Sequence, residues 1–335
     1  MSDPIAAIAR AVLYEGYVLW PYRRSAPKNQ RRWTFGGVHP EGWTAAGHPD
    51  DACVMQTQCL VEGPPSATLA ISVRFLHVVD RQVSRRTAAG EEAVDALTVD
   101  GERHLSWEEA TERELTAPTL TPAQLGRGRH HRLAIDVPAG EATEALGDEG
   151  AITRRWQPLA GTVQLSAQAA GNGVQRVTVR IANATPWPGG DRQAALRRTL
   201  VSTHTVLRAG AGGQLVSLTD PPPHLRAAAA ACVNTGTWPV LVGEPGERHT
   251  VLSSPIILED HPQVAPESPG DLFDGGEIDE LLILNVLTLT DQERREARDS
   301  DPRTREIIDR CAGLSPEQLM RLHGRTRDLR AVRER

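Results

Sequence analysis

The sequence predicts a mainly β protein (α+β class) with one or two antiparallel β-sandwich-like domains and a C-terminal helical tail. Apolar and polar residues alternate at period two in short segments through residues 54–258, as in half-buried strands. Glycine- and proline-bearing turns separate these segments. Helical segments do not alternate with them, which disfavours a parallel α/β fold. Three helix-capping signals follow residue 277, where the helical tail is expected.

The first strands are expected at Val54–Val61 and Leu69–Val79, because both segments alternate and carry β-branched residues. Residues 84–130 are charged and irregular, and a short helix is expected near Trp107–Glu114. Three further strands are expected at Arg132–Val137, Thr162–Ala169 and Val174–Asn183.

The remaining elements are read in the same way. Gly171-Asn172-Gly173 has the composition of a hairpin turn. Leu200–Leu207 and Gln214–Leu218 are predicted to pair across the glycine turn at 210–213. A short N-capped helix is expected at about 222–231, followed by strands at Trp238–Val242 and His249–Leu258.

The C-terminal part changes character. Thr290–Glu293 and Ser315–Gln318 have the capping-box pattern, and Asp301-Pro302 is typical of a helix start. We therefore expect three parts: residues 1–150 with an aromatic and arginine-rich start and a β-rich domain, 151–276 as a β-sandwich-like domain, and 277–335 as a helical segment.

Composition limits the classes of function. The chain has 335 residues, with 37 basic and 43 acidic residues, a net charge of −6. This balance argues against broad binding to nucleic acid or anionic membranes, which needs a basic excess. Neither a membrane span nor a signal peptide is recognised, and the four cysteines are too few for a disulfide framework, so we expect a cytoplasmic protein.

Metal and nucleophile motifs are weak. Cys53 and Cys59 lie six residues apart with His39 and His48 upstream, which is the wrong spacing for zinc and has no second pair. Alternation places Cys59 on the face of Met55 and Thr57, so the cysteines are interpreted as structural or merely incidental. We expect no metal and no cofactor.

Catalytic signatures are equally sparse. The sequence has no G-x-S-x-G elbow and no Gly-rich phosphate loop. Ser202-Thr203-His204 and Ser253-Ser254 are the nearest candidates for a nucleophile and base, and the catalytic residues stay unassigned.

An acidic run extends from Glu259 to Glu280, with eight acidic residues and neither Arg nor Lys. It lacks the EF-hand pattern. Three interpretations are open: a proline-bearing loop that ends by capping a helix near Ile278–Leu284, a loop that docks a partner, or a divalent-metal site. Asp271 and Asp274 are its candidate partner-binding residues.

Aromatic residues concentrate near the N-terminus, where seven of thirteen lie within residues 14–43. Five basic residues, including the single lysine, fall within ten positions of the same stretch. The open interpretations are a core strand pair, a protein-docking surface, or a stacking platform for single-stranded nucleic acid. The net charge disfavours the last. The candidate partner-binding residues here are Tyr14, Tyr17, Tyr22, Arg23, Lys28, Arg32, Trp33 and Phe35.

Several blocks of the sequence carry a resemblance to a known family. They are Val12–Tyr17, Pro21–Arg23, Lys28-Asn29, Arg32–Gly36, Met55–Cys59, Leu200–His204, Asn234–Val240, Ala265–Asp274, Glu277–Glu280 and Leu289–Asp291. Together they resemble an uncharacterised family encoded in bacterial NiFe-hydrogenase gene clusters of the high-affinity, actinobacterial type.

The resemblance implies an accessory or assembly role, with hydrogenase subunits or maturation proteins as partners. It supplies no activity and no catalytic residues. Two hypotheses follow. One is a non-catalytic protein that binds hydrogenase subunits or maturation factors. The other is an enzyme of cofactor maturation whose metal is held by His, Cys and carboxylate side chains from distant strands.

Overall fold

The structure, a computed structural model, describes residues 35–64, 66–126, 128, 130–262 and 289–300, with Leu13 and five positions between 305 and 313. The described strands are β1 (Val54–Glu62), β2 (Thr68–Thr87), β3 (Gly90–Val94), β4 (Ala96–Val99), β5 (Glu102–Leu105), β6 (Trp107–Thr116), β7 (His131–Val137), β8 (Gly140–Leu146), β9 (Gly150–Trp156), β10 (Leu159–Gly171), β11 (Val174–Asn183), β12 (Val201–Gly210), β13 (Gln214–Leu215), β14 (Trp238–Leu241) and β15 (Thr250–Ser254). The described helices are α1 (Glu41–Ala45), α2 (Pro122–Leu125), α3 (Arg192–Leu196), α4 (Arg226–Ala230) and α5 (Asp291–Ser300).

Two sheets organise these strands. One has five strands in the order β13-β1-β11-β10-β7, and the other runs β14-β15-β12-β2-β9-β8. β6 and β3 pair along the other edge of β2, and β4 and β5 form a separate hairpin. Every strand pairing among the described residues is antiparallel, and strand makes up 51% of those residues, which confirms the mainly β, sandwich-like class.

The main core lies between the two sheets, because each strand turns alternate apolar side chains inward. In β2 the alternating residues Leu69, Ile71, Val73 and Phe75 are at most 2% exposed. They belong to one cluster with residues of the opposite sheet such as Val179. The period-two pattern of the sequence therefore becomes the inner face of a sandwich.

Smaller clusters cover other surfaces. The second half of β2 packs with the β4–β5 hairpin, β8 and β9 around Val83, Leu97 and Ile152. On the other side, α4 and the turn before it bury Leu225 and Ala229 against the outer face of β1. The expected helix at about 222–231 is present as a 3-10 turn, Pro223–Leu225, followed by α4, although no side chain caps either piece.

The helix expected near Trp107–Glu114 is wrong, since this segment is β6. It pairs with β2 over ten residues, from Ser72 opposite Thr116 to Arg81 opposite Trp107. Pairing with β2 satisfies the backbone groups along one edge of β6. Arginines of β2, of β9 and of the chain just after α3 pair with its glutamates, which offsets their low strand propensity. The ion pairs are Arg74–Glu112, Arg154–Glu109 and Arg197–Glu108.

The expected pairing of Gln214–Leu218 with the preceding strand is also wrong. β13 pairs with β1, with Val61 opposite Leu215, whereas β12 pairs with β2 and β15. The glycine turn therefore carries the chain from one sheet to the other. Leu215 is fully buried in the main core, and burial of this apolar side chain stabilises the crossing from one sheet to the other.

Residues 33–262 fall in one compact unit, together with residues 1–17. The boundary expected at residue 150 falls inside this unit, where Gly150 begins β9 beside β2. Residues 18–32 and 263–335 form a second unit. In it the predicted capping box is confirmed: the Thr290 hydroxyl accepts from the Glu293 N–H, and the Glu293 carboxylate accepts from the Thr290 N–H.

The starts expected at Asp301-Pro302 and Ser315–Gln318 lie outside the described residues, as does the helix expected near Ile278–Leu284. Among the helices that the structure describes, none has the length and apolar character needed to cross a bilayer.

Candidate functional site

Of the residues predicted to bind a partner, Phe35 is described and is half-buried. The others lie outside the described residues: Tyr14, Tyr17, Tyr22, Arg23, Lys28, Arg32, Trp33, Asp271 and Asp274. The structure therefore shows how the C-terminal end of the aromatic and basic segment joins the sandwich.

Residues 36–38 are fixed to the start of β12 by the backbone. The Val38 N–H donates to the Leu200 carbonyl at 2.9 Å, and the Leu200 N–H donates back at 3.1 Å. The side-chain amide of Asn183, which ends β11, donates to the Val38 carbonyl at 2.8 Å. Asn183 and Val38 are both at most 2% exposed, so these bonds lie away from water.

Local backbone geometry makes this junction possible. Ser202 adopts a left-handed conformation (φ 51°) at a bulge in β12, and the next N–H, of Thr203, donates to the Gly36 carbonyl. Gly36 is itself left-handed, and a Cβ there would lie 2.4 Å from Pro255. At Gly37 a Cβ would lie 2.7 Å from the His39 ring. Only glycine fits either position without displacing a neighbour.

Beyond this junction lies a set of side chains that we call the loop cluster. Its members are His39, Trp43, His48, Asp51, Trp187 and Arg192.

Aromatic contacts hold the loop cluster together. The rings of Trp43 and His48 stack with centroids 3.5 Å apart and planes 4° apart. Trp187 meets Trp43 edge to face at 5.4 Å. Trp43 is 4% exposed, whereas His48 and Trp187 are half-buried and form part of the surface.

Asp51 is the electrostatic centre of the loop cluster. Its carboxylate accepts from the Trp43 indole N–H at 2.9 Å and from both terminal nitrogens of Arg192, at 2.7 and 3.3 Å. Burial raises the pKa of Asp51, but the hydrogen bonds from Trp43 and Arg192 outweigh burial and hold the pKa below its ordinary value.

His39 faces the same carboxylate, with its Nε2 3.6 Å from Asp51 Oδ1, which is too long for a hydrogen bond. Burial lowers the pKa of His39 below its ordinary value despite the nearby carboxylate, so the ring is neutral at pH 7. At 5% exposure it has little contact with solvent. The buried members of the loop cluster thus hold the surrounding backbone in place. Arg192, His48 and Trp187 form its solvent-accessible side.

The serine and histidine candidates do not come together as a catalytic pair. The Ser253 hydroxyl lies 2.8 Å from those of Thr57 and Thr237, and all three residues are at most 1% exposed. These hydroxyls bridge the two sheets inside the core. Burial lowers the pKa of His204 to about 4, and its Nδ1 lies 3.2 Å from the Ser202 carbonyl.

The cysteines are all free thiols. Cys59 is fully buried on the same face as Met55 and Thr57, as predicted, and burial raises its pKa to about 12. Within the described residues, no three His, Cys, Asp or Glu side chains lie close enough to hold a metal ion.

The described start of the acidic run has a structural role. The Asp260 carboxylate accepts from the Ser217 and Thr219 hydroxyls at 2.5 and 2.7 Å and from the Leu241 N–H at 2.8 Å. It ties the loop after β13 to the outer edge of β14.

A cleft of about 990 Å³ opens at the end of the five-stranded sheet where β1 ends and β11 begins. Small residues such as Gly63 and Ala167 line it, with the amides of Gln168, Asn172 and Gln175. Its volume lies at the upper end of ligand-site volumes. The glycine-rich turns that line this cleft can be recognised in the sequence. Their proximity to one another in the fold cannot.

Sequence reasoning missed the loop cluster and Asp260. Asp51 and Arg192 are 141 positions apart, and each residue type is ordinary where it stands. One local signal exists: Trp187-Pro-Gly-Gly-Asp191 combines a large aromatic residue with turn residues and the N-cap of α3.

Comparison of the sequence with protein-family models and with curated proteins finds no match.

Proposed function

We propose that the protein is a non-catalytic accessory or assembly protein that binds NiFe-hydrogenase subunits or maturation factors. The candidate docking residues lie in the aromatic and basic segment 14–35, and the exposed side chains of the loop cluster are a second, separate candidate surface. The hydrogenase part of the proposal comes from the sequence resemblance.

The observation that supports docking is the junction at residues 36–38. A binding segment that adjoins a rigid framework loses less conformational entropy when a partner binds. The two backbone bonds between Val38 and Leu200, with the Asn183 amide, supply such a framework directly after Phe35.

The loop cluster adds the residue types that dominate protein interfaces. Tryptophan and arginine are enriched among residues that carry binding energy. Trp187 is held edge to face against Trp43, and Arg192 keeps a side chain that is 51% exposed while bound to Asp51. Both are therefore oriented before a partner arrives.

The use of the buried hydroxyls supports a non-catalytic role. The Ser253 hydroxyl is hydrogen-bonded to the hydroxyls of Thr57 and Thr237 between the sheets, so all three hydroxyls are engaged inside the core. Two blocks of the resemblance, Met55–Cys59 and Asn234–Val240, contain members of this network.

The test is co-purification of the tagged, full-length protein from cells that express the hydrogenase gene cluster, followed by mass spectrometry. We expect hydrogenase subunits or maturation proteins in the eluate. Arg23→Glu and Lys28→Glu should each remove them, because charge reversal within a docking surface opposes encounter. Thermal stability should change by less than about 1 kcal/mol, as for surface substitutions generally.

Arg226→Glu is the matched control, since this exposed arginine lies on α4, far along the chain from the docking segment. It should leave capture unchanged. Recovery of hydrogenase proteins by folded Arg23→Glu and Lys28→Glu at the wild-type level would contradict the docking surface. An eluate without any hydrogenase component would contradict the function.

A further inference from the structure

β7 is the last strand of the five-stranded sheet. It pairs with β10 along one edge, from Val137 opposite Leu159 to His131 opposite Leu165. No described strand pairs with its other edge. An open edge of this kind is a template for pairing with another chain.

The register shows which backbone groups of β7 face outward. Ala160 of β10 turns its N–H and C=O toward the β11 side, to Thr185 Oγ1 and the Ala184 N–H. Successive residues of a strand direct these groups to opposite edges, so Gly161 and its alternate neighbours bond to β7. Their partners on β7 are the odd-numbered residues. The outward groups therefore belong to Arg132, Ala134 and Asp136.

The side chains of these three residues share the solvent face and are all exposed. Within the described part of the chain, Arg132 and Asp136 have neither an ion pair nor a hydrogen bond. On the opposite face Ile135 is buried in the main core, while Leu133 and Val137 are half-buried at its margin. β7 thus has two side chains of opposite charge without an ion-pair partner in the described part of the chain, and two apolar side chains that are only partly buried.

The outer edge of β14 is different, because it is closed to pairing. Pro239 has no N–H to offer. The Leu241 N–H donates to Asp260, and the Leu241 carbonyl accepts from the His261 N–H. β7 has no proline, and no described residue caps it in this way.

We propose that two copies of the protein associate by antiparallel pairing of β7 with β7 about a two-fold axis at Ala134. This register places Arg132 opposite Asp136 of the second copy, and Asp136 opposite its Arg132. Outward residues then form three hydrogen-bonded pairs with two bonds each, about six bonds in all. The two five-stranded sheets become one continuous sheet.

Charge selects this register. A two-fold axis at residue 132 or at residue 136 would place Arg132 opposite Arg132, or Asp136 opposite Asp136, and like charges directly opposite are destabilising. An axis at Leu133 would set Arg132 opposite Ala134, and one at Ile135 would set Asp136 opposite Ala134, so both ion pairs would be lost. A register that sets even-numbered residues opposite odd-numbered ones would place outward backbone groups against inward ones. In the proposed register Leu133 also lies beside Ile135 of the second copy, on the core face. The interface is isologous, as a two-fold dimer requires.

The test is sedimentation velocity of the full-length protein from about 1 µM to about 1 mM, a range that reveals even a weak dimer. We expect a monomer–dimer equilibrium. Arg132→Asp and Asp136→Arg should each weaken association by about tenfold or more, because both ion pairs become repulsive. The double variant, with Arg132→Asp and Asp136→Arg together, should restore it. Arg180→Asp, an exposed change on β11 of the same sheet, should have no effect.

Ala134→Pro supplies an independent variant, because it removes a central N–H that does not bond to β10. It should also weaken association, and thermal melting of each variant verifies folding. A wild-type protein that is monomeric over the whole range overturns the proposal. So does a dimer that folded single charge variants leave intact, or one that the double variant fails to restore.

Discussion

Asp260→Ala tests whether the start of the acidic run holds the sandwich edge together. In the structure one half-buried carboxylate accepts hydrogen bonds from Ser217, Thr219 and the Leu241 N–H, at 2.5 to 2.8 Å. Hydrogen bonds to charged groups contribute about 1.5–3 kcal/mol each when buried, and partial exposure reduces this. Leu241 is 4% exposed, so its N–H would be left buried without a partner.

Together these losses should lower the free energy of unfolding by about 2–4 kcal/mol, less than the sum of three separate bonds because the donors share one acceptor. Asp260→Asn should cost about half as much, since its Oδ1 can still accept from Leu241 while the negative charge is lost. The measurement is urea unfolding followed by circular dichroism. The m-value should be the same for all variants, so that a change in midpoint reports a change in stability.

Glu259→Ala is the control for the adjacent position, because this neighbouring acid is exposed. It should change the free energy of unfolding by no more than about 0.5 kcal/mol. If Asp260→Ala proves no more destabilising than Glu259→Ala, the carboxylate does not tie the loop to β14. The hydrogen bonds would then contribute nothing net against water.

Three further outcomes are expected. The pKa of Asp51 is lowered in the fold, so its contribution to stability is complete above about pH 5 and is lost as the pH falls through that lowered pKa; the difference in urea midpoint between wild type and Asp51→Asn should therefore shrink on acidification. Ser253→Ala should lower the free energy of unfolding by about 1–3 kcal/mol because it strands the hydroxyls of Thr57 and Thr237, and adding Thr57→Val and Thr237→Val should recover part of that loss in the same urea assay. Cys59→Ser should leave the protein soluble and zinc-independent while costing about 1–3 kcal/mol, since it buries a hydroxyl in the core; insoluble protein rescued by zinc would contradict this.

The fold was predictable where one face of a strand is buried and the other is not. In β2 and β11 the alternation of apolar and polar residues directly records the inner face. β6 was not predictable in this way, because Glu, Ala and Arg are good helix formers and its glutamates occupy both faces. Its strand conformation depends on arginines from β2, β9 and the chain just after α3, and the local sequence contains none of that information.

The junction at 36–38 and the loop cluster escaped prediction for a related reason. The Gly36-Gly37 pair indicates a turn, but the need for glycine arises from Pro255 and from His39, and the first of these is remote in sequence. In the sequence Asp51 does not differ from other acidic residues in loops. Its role becomes visible only in the fold, where Arg192 lies beside it. Long-range contacts of this kind decide which polar residues are structural and which remain available to a partner.

The same limit applies to the β7 edge. Arg132 and Asp136 can be read from the sequence as opposite charges on one face of a strand, since they lie four residues apart. In a central strand such charges find partners within their own sheet, as Arg154 of β9 does with Glu144 of the adjacent β8 and with Glu109 of β6 on the far side of β2. It becomes a self-complementary surface only because β7 ends its sheet and because its outward N–H and C=O groups belong to the same residues that carry the charges. The surface requires an edge strand, outward backbone groups and opposite charges at the same residues. The double variant with Arg132→Asp and Asp136→Arg exchanges the two charges and leaves the edge strand and its backbone direction unchanged, so it tests the contribution of charge alone.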